Sequence, residues 1–85
     1  MTLAEAMNTY NIALHDIIKR GFIINLEIDE SNEEILSWIA KKGNNIISAF
    51  SPLSLLALVV ICEQYGDSWN SVDTGNIYDE ILDNN

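Results

Sequence analysis

Positive charge is scarce in this chain. Four Lys and Arg stand against 13 Asp and Glu, a formal net charge of −9 over 85 residues. Binding a phosphate backbone or an anionic lipid surface requires cations that displace counterions, so neither nucleic acid nor membrane is expected as a direct partner. A macromolecule recruited by charge would be basic. Cysteine is reduced to one residue, Cys62, which excludes an internal disulfide and suits a reducing, cytoplasmic setting. The N-terminal "MTLAEAMNTY" lacks the cationic and apolar regions of a signal peptide, so none is expected.

Catalytic residue types are equally sparse. The one histidine, His15, lies next to Asp16, with no Ser or Cys in a recognisable nucleophile context. Cys62 sits inside an apolar run without a neighbouring cation to activate it. There is no GxGxxG, no phosphate loop, no CxxC and no HExxH. The acidic stretch "EIDESNEE" fails as a calcium loop. Counted from Asp29, its sixth position is Glu34 rather than Gly and its twelfth is Ala40 rather than Glu. No cofactor and no metal are expected, and an enzyme ranks below a binding protein.

What the chain does have is aliphatic residues, in a 48% hydrophobic composition. They are abundant and spaced, which predicts one packed domain over residues 1–85, near the small end of what folds unaided. Thr2 and Glu5 stand at capping-box spacing. Leu3, Met7, Tyr10, Leu14 and Ile17 then trace one face of a first helix that ends "KRG". "FIINLEID" alternates Phe22, Ile24, Leu26 and Ile28 with Ile23, Asn25, Glu27 and Asp29, the period of a strand with one buried face. Ser31 and Glu34 repeat the capping-box spacing ahead of Ile35, Leu36, Ile39 and Ala40, which predicts a second helix ending "KKG". All four cations, Lys19, Arg20, Lys41 and Lys42, would then occupy last helical turns, where the helix dipole favours them.

"NNIISAFS" reads as a second strand, and Ser51-Pro52 as the start of a third helix reaching about Tyr65. Gly21, Gly43 and Gly66 would each follow a helix end. Asn76, Ile77, Tyr78, Ile81 and Leu82 predict one more short amphipathic helix. The expected fold is therefore α+β, in the order α-β-α-β-α with a short C-terminal helix. Its helices pack on a small two-stranded sheet, parallel if the second helix forms a crossover.

The third helix is unusual in carrying an unbroken apolar run from Leu55 to Cys62. An apolar rise of about 15 Å is too short for a bilayer core of about 30 Å. A helix apolar almost all round is either the centre of the fold or part of an interface. Two functional expectations follow. One is a small acidic protein-binding module of the inhibitor, immunity or anti-defence type that masks a basic surface on a nucleic-acid-handling partner. Its expected contacts are Glu27, Asp29, Glu30, Glu33 and Glu34, with Asp67, Trp69, Asp79 and Glu80 as a second group, although Trp69 also reads as a core residue. The other is an assembly protein that homodimerises or docks through helix 52–65.

Overall fold

Two tight reversals organise the middle of the chain. Lys42 pairs with Asn45 across a two-residue loop, Gly43-Asn44, and Gly43 has φ +59°. Glycine at the first loop position is what a two-residue hairpin of matching twist requires. The second reversal, at residues 30–33, joins the preceding pair of strands. The computed structural model describes residues 1–85. Its elements are α1 (Tyr10–Lys19), β1 (Ile23–Asp29), β2 (Glu34–Lys42), β3 (Asn45–Ala49), α2 (Pro52–Tyr65) and α3 (Ile77–Asp83). A single 3₁₀ turn precedes α1 at Met7–Thr9, and a six-residue 3₁₀ helix follows α2 at Gly66–Ser71.

The α+β class is as expected, with helices on a small sheet. The sheet, however, has three strands in the order β1-β2-β3, both pairs antiparallel. The segment expected as a second helix is β2, its central strand, so the order is α-β-β-β-α with α3 at the end and no parallel crossover exists. Residues 34–42 satisfy both periods. Ile35, Leu36, Ile39 and Ala40 fit a helix stripe, while Leu36, Trp38 and Ala40 alternate with Ile35, Ser37 and Ile39. Pairing settles the matter. As a strand, Ala40 stands between Ile24 and Ile47, and Trp38 between Leu26 and Ala49, with a hydrogen-bonded ladder on each side. A helix offers no such neighbours.

The helices cover one face of this sheet. Ile17, Phe22, Ala40, Ala49, Leu55 and Val59 form the buried cluster, with Ile24, Trp38, Ile47 and Leu56 packed around it. Small residues on the strands, Ala40 and Ala49, face large ones from α2, Leu55 and Val59, which lets the layers interdigitate. The start of α2 follows its sequence signal. The Ser51 hydroxyl accepts the Ser54 N–H at 3.2 Å, and Pro52 occupies the first turn. The start of α1 does not. Thr2 caps nothing, Met7–Thr9 forms a 3₁₀ turn and the α-helix begins at Tyr10. Asn76 makes no side-chain cap on α3 either.

The cations also part from expectation. Lys19 stays in the last turn of α1. Arg20 bridges the two helices, donating to Asp16 of α1 at 2.9 Å and to Glu63 of α2, and those acceptors hold its guanidinium pKa above the ordinary value, Glu63 more than Asp16. Lys41 and Lys42 end a strand instead of a helix. Lys42 donates to the Arg20 carbonyl at 2.8 Å and lies 5.5 Å from the centre of the Phe22 ring.

The apolar helix α2 turns out to be central on one face only. Pro52, Leu55 and Val59 are buried. Leu58, Ile61 and Tyr65, on one flank of the helix, remain about 40% exposed. The whole chain is similarly open. Its accessible surface is 6928 Å², where a compact protein of this mass exposes about 5,000 Å². Its radius of gyration is 15.3 Å, against about 12 Å for a compact chain of this length. Three regions contribute to the excess: residues 1–8, the far end of the β1–β2 hairpin and the segment after α2.

Candidate functional site

Strand β3 pairs only with Trp38–Lys42. Beyond that point the β1–β2 hairpin runs on as a two-stranded ribbon, from Glu27 and Ser37 out to the Asp29–Glu34 pair. Nothing in the ribbon is buried. Leu26, Ile28, Ile35 and Leu36 at its base and along it are 40–50% exposed. The register shifts between Glu27 and Ile28, which leaves Leu36 without a partner on β1. Such a bulge bends and twists a ribbon.

The tip is held by Asp29. Its carboxylate accepts the Ser31 N–H at 3.0 Å, the Ser31 hydroxyl at 2.7 Å and the Asn32 side-chain amide at 3.2 Å. These bonds favour the charged form, so the Asp29 pKa lies below the usual aspartate value, the Ser31 hydroxyl being the largest cause. Ser31, expected as a helix cap, thus serves a strand reversal. The Asp29 carbonyl accepts the Glu33 N–H at 2.7 Å. Glu33 itself sits at φ +57°, the only residue other than glycine in the left-handed region.

Five of the nine expected contact residues therefore come together here. Glu27, Glu30, Glu33 and Glu34 are exposed, while Asp29 is half-buried and occupied with the turn. Asp29 and Glu34 are direct cross-strand partners, although like charges in that position repel. No Lys or Arg occurs between Glu27 and Ala40 to offset them. The remaining four lie elsewhere. Asp67 and Trp69 belong to the turn after α2, beside a groove of about 620 Å³ lined also by Ile46, Leu58, Ile61 and Cys62. Trp69 is 60% exposed, so its reading as a core residue is overturned. Asp79 and Glu80 are on α3, which buries no side chain.

The ribbon's apolar members, Ile28, Ile35 and Leu36, are absent from the expected contacts because the helix reading turns Ile35 and Leu36 inward and the strand reading places Ile28 on a buried face. The Gly43-Asn44 loop signal, read as a hairpin, would have placed them on a ribbon.

Other clusters offer less chemistry. His15, Asp16, Lys19 and Glu5 edge a groove of about 610 Å³ lined also by Leu3, Ile12, Ala13, Leu53 and Leu56, and its one hydroxyl, on Thr9, donates to the Ala6 carbonyl. No three His, Cys, Asp or Glu side chains converge in a way that would hold a metal ion. No helix is long and apolar enough to cross a membrane. No family model, curated protein or solved structure matches the chain.

Proposed function

We propose that the chain is a non-enzymatic protein-binding module that inserts the β1–β2 ribbon into a basic, partly apolar cleft of a partner. A nucleic-acid-handling protein masked in the manner of an inhibitor or immunity protein is the class of partner this chemistry fits. The observation that carries the reading is the tip itself. A left-handed Glu33 and an Asp29–Glu34 pair of like charge both work against folding. They stand on a projecting ribbon whose aliphatic side chains are half in water. A carboxylate rim around an apolar strip suits a cationic cleft, where the repulsion turns into attraction on contact.

The test uses the protein as bait in its native cell, with Glu30→Lys/Glu33→Lys as the control bait. The identified partner is then followed in stopped-flow association. Association should slow from low to physiological ionic strength, and the double reversal should slow it further with the fold intact. A salt-indifferent rate, or a partner whose contact surface is acidic, would sink the reading. The second reading, an assembly protein docking through helix 52–65, draws on the exposed stripe Leu58, Ile61 and Tyr65.

A further inference from the structure

A seven-residue helix does not hold itself together in water, since helices shorter than about 12 residues are marginal even with favourable composition. Yet α3 forms with no side chain buried, and its Ile77, Tyr78, Ile81 and Leu82 are 55–76% exposed. These four fall within an arc of about 140° of the helix. Asp79 and Asp83 border one side of that arc and Glu80 the other. No cation lies anywhere after Lys42 in the chain. The helix thus presents an apolar strip edged by carboxylates.

The sheet holds the complementary surface. Its face away from the helices is bare, and register aligns Ile23, Lys41 and Ile46 in one row across the three strands, with Asn25, Ile39 and Ser48 in the next. Ile23 is 69% exposed and Ile46 68%. Lys41 stands between them and takes part in no ion pair. Three strands at about 4.8 Å spacing make a row about 10 Å wide. A helix of seven residues is about 10 Å long.

We propose that a second copy of the chain covers this face with its α3, in a reciprocal exchange that closes as a two-fold dimer. Ile77 and Ile81 lie on Ile23, Ile39 and Ile46, and the flanking carboxylates reach Lys41. The tail leaves the body at the right place. Asp67 and Trp69 line their groove together with Ile46 and Ser48 of β3, so each tail is rooted at the edge of the open face. The area also suffices. Ile77, Tyr78, Ile81 and Leu82 of α3 and Ile23 and Ile46 of the sheet are each more than half exposed, and together with Lys41 and the flanking carboxylates they offer area on the order of the 800 Å² per partner that a stable interface takes.

The test is sedimentation equilibrium of the full chain, expected to show species of twice 9.5 kDa. Ile81→Asp and Lys41→Glu should each weaken dimerisation by about tenfold or more, with unchanged circular dichroism of the monomer. A Lys41→Glu chain mixed with an Asp79→Lys/Glu80→Lys chain should recover association, which loss of folding would not allow. Carbodiimide coupling of Lys41 to Asp79 or Glu80 should link isotopically distinct copies. A chain that stays monomeric at millimolar concentration, coupling confined to one copy, or a dimer indifferent to both single variants would overturn the proposal. Sedimentation of the pure chain reads the dimer with no partner present, whereas stopped-flow association reads capture of a basic partner through Glu30 and Glu33, so the two proposals fail separately.

Discussion

The near and far halves of one hairpin obey different rules. In the near half, β2 is flanked on both sides, Ala40 is buried and Trp38 half-buried, and Ile24, Ala40, Ile47 and Ala49 on the covered face belong to or pack against the buried cluster. In the far half the same two strands continue with no third strand and no buried side chain, a bulge at Leu36, and carboxylates facing each other. The near half is built for stability, and the far half spends that stability on a charged projection. Changes in the two halves should therefore separate folding from binding.

The largest effect is expected at Leu55. It is wholly buried against the near half, so Leu55→Ala should destabilise by about 2–5 kcal/mol. A small domain has about 5 kcal/mol to lose, so the urea midpoint should fall by roughly 40% or more. Ile35→Ala in the far half, where half the side chain is already in water, should change stability by no more than about 0.5 kcal/mol. It should nevertheless weaken partner binding. A ribbon variant as damaging to folding as Leu55→Ala would erase the distinction between the halves.

Next comes the turn that commits β2 to the sheet. Gly43 has φ +59°, and a Cβ there would meet no other atom within 4 Å, so any penalty is conformational. Gly43→Val should destabilise by more than about 1 kcal/mol in chemical denaturation, because a β-branched residue resists that region.

That loop also shows where the sequence was and was not legible. β1, β3 and α2 follow from alternation and from Ser51-Pro52, because their signals are local. Residues 31–42 carry decoys at both ends. Ser31 and Glu34 imitate a capping box although Ser31 donates to Asp29, and "KKG" imitates a helix end although Gly43 opens a hairpin loop. What selects the strand is β3, a partner that lies beyond the segment itself. The acidic cluster was legible as composition. Its projection was not, because that depends on β3 being shorter than its neighbour.

A smaller change of opposite sign is expected at Glu33. Replacing it with glycine removes the left-handed penalty, so Glu33→Gly should stabilise the hairpin by about 1 kcal/mol. The same change removes a carboxylate from the tip and should slow association with a basic partner. A variant that is more stable and binds equally well would mean that Glu33 has no part in the contact.

The smallest effect concerns acid. Bonds from Ser31 and Asn32 hold the Asp29 pKa below its ordinary value in the folded chain. A carboxyl group depressed by folding stabilises the fold above its unfolded-state pKa and loses that contribution as pH falls through the lower, folded-state value. At neutral pH the turn should therefore be intact, and it should loosen only at the acid end of the aspartate range. The Ser31 amide proton resonance reports this directly, since its hydrogen bond depends on the Asp29 charge. It should titrate with a midpoint below that of a free aspartate, and Asp29→Asn should abolish the transition. Resonances of the near half, such as the amide of Ala40, should stay in place over the same range, because the covered strands do not depend on the turn for their packing. If Ser31 and Ala40 shifted together, the hairpin would be one cooperative unit, and the division between its halves would describe exposure alone.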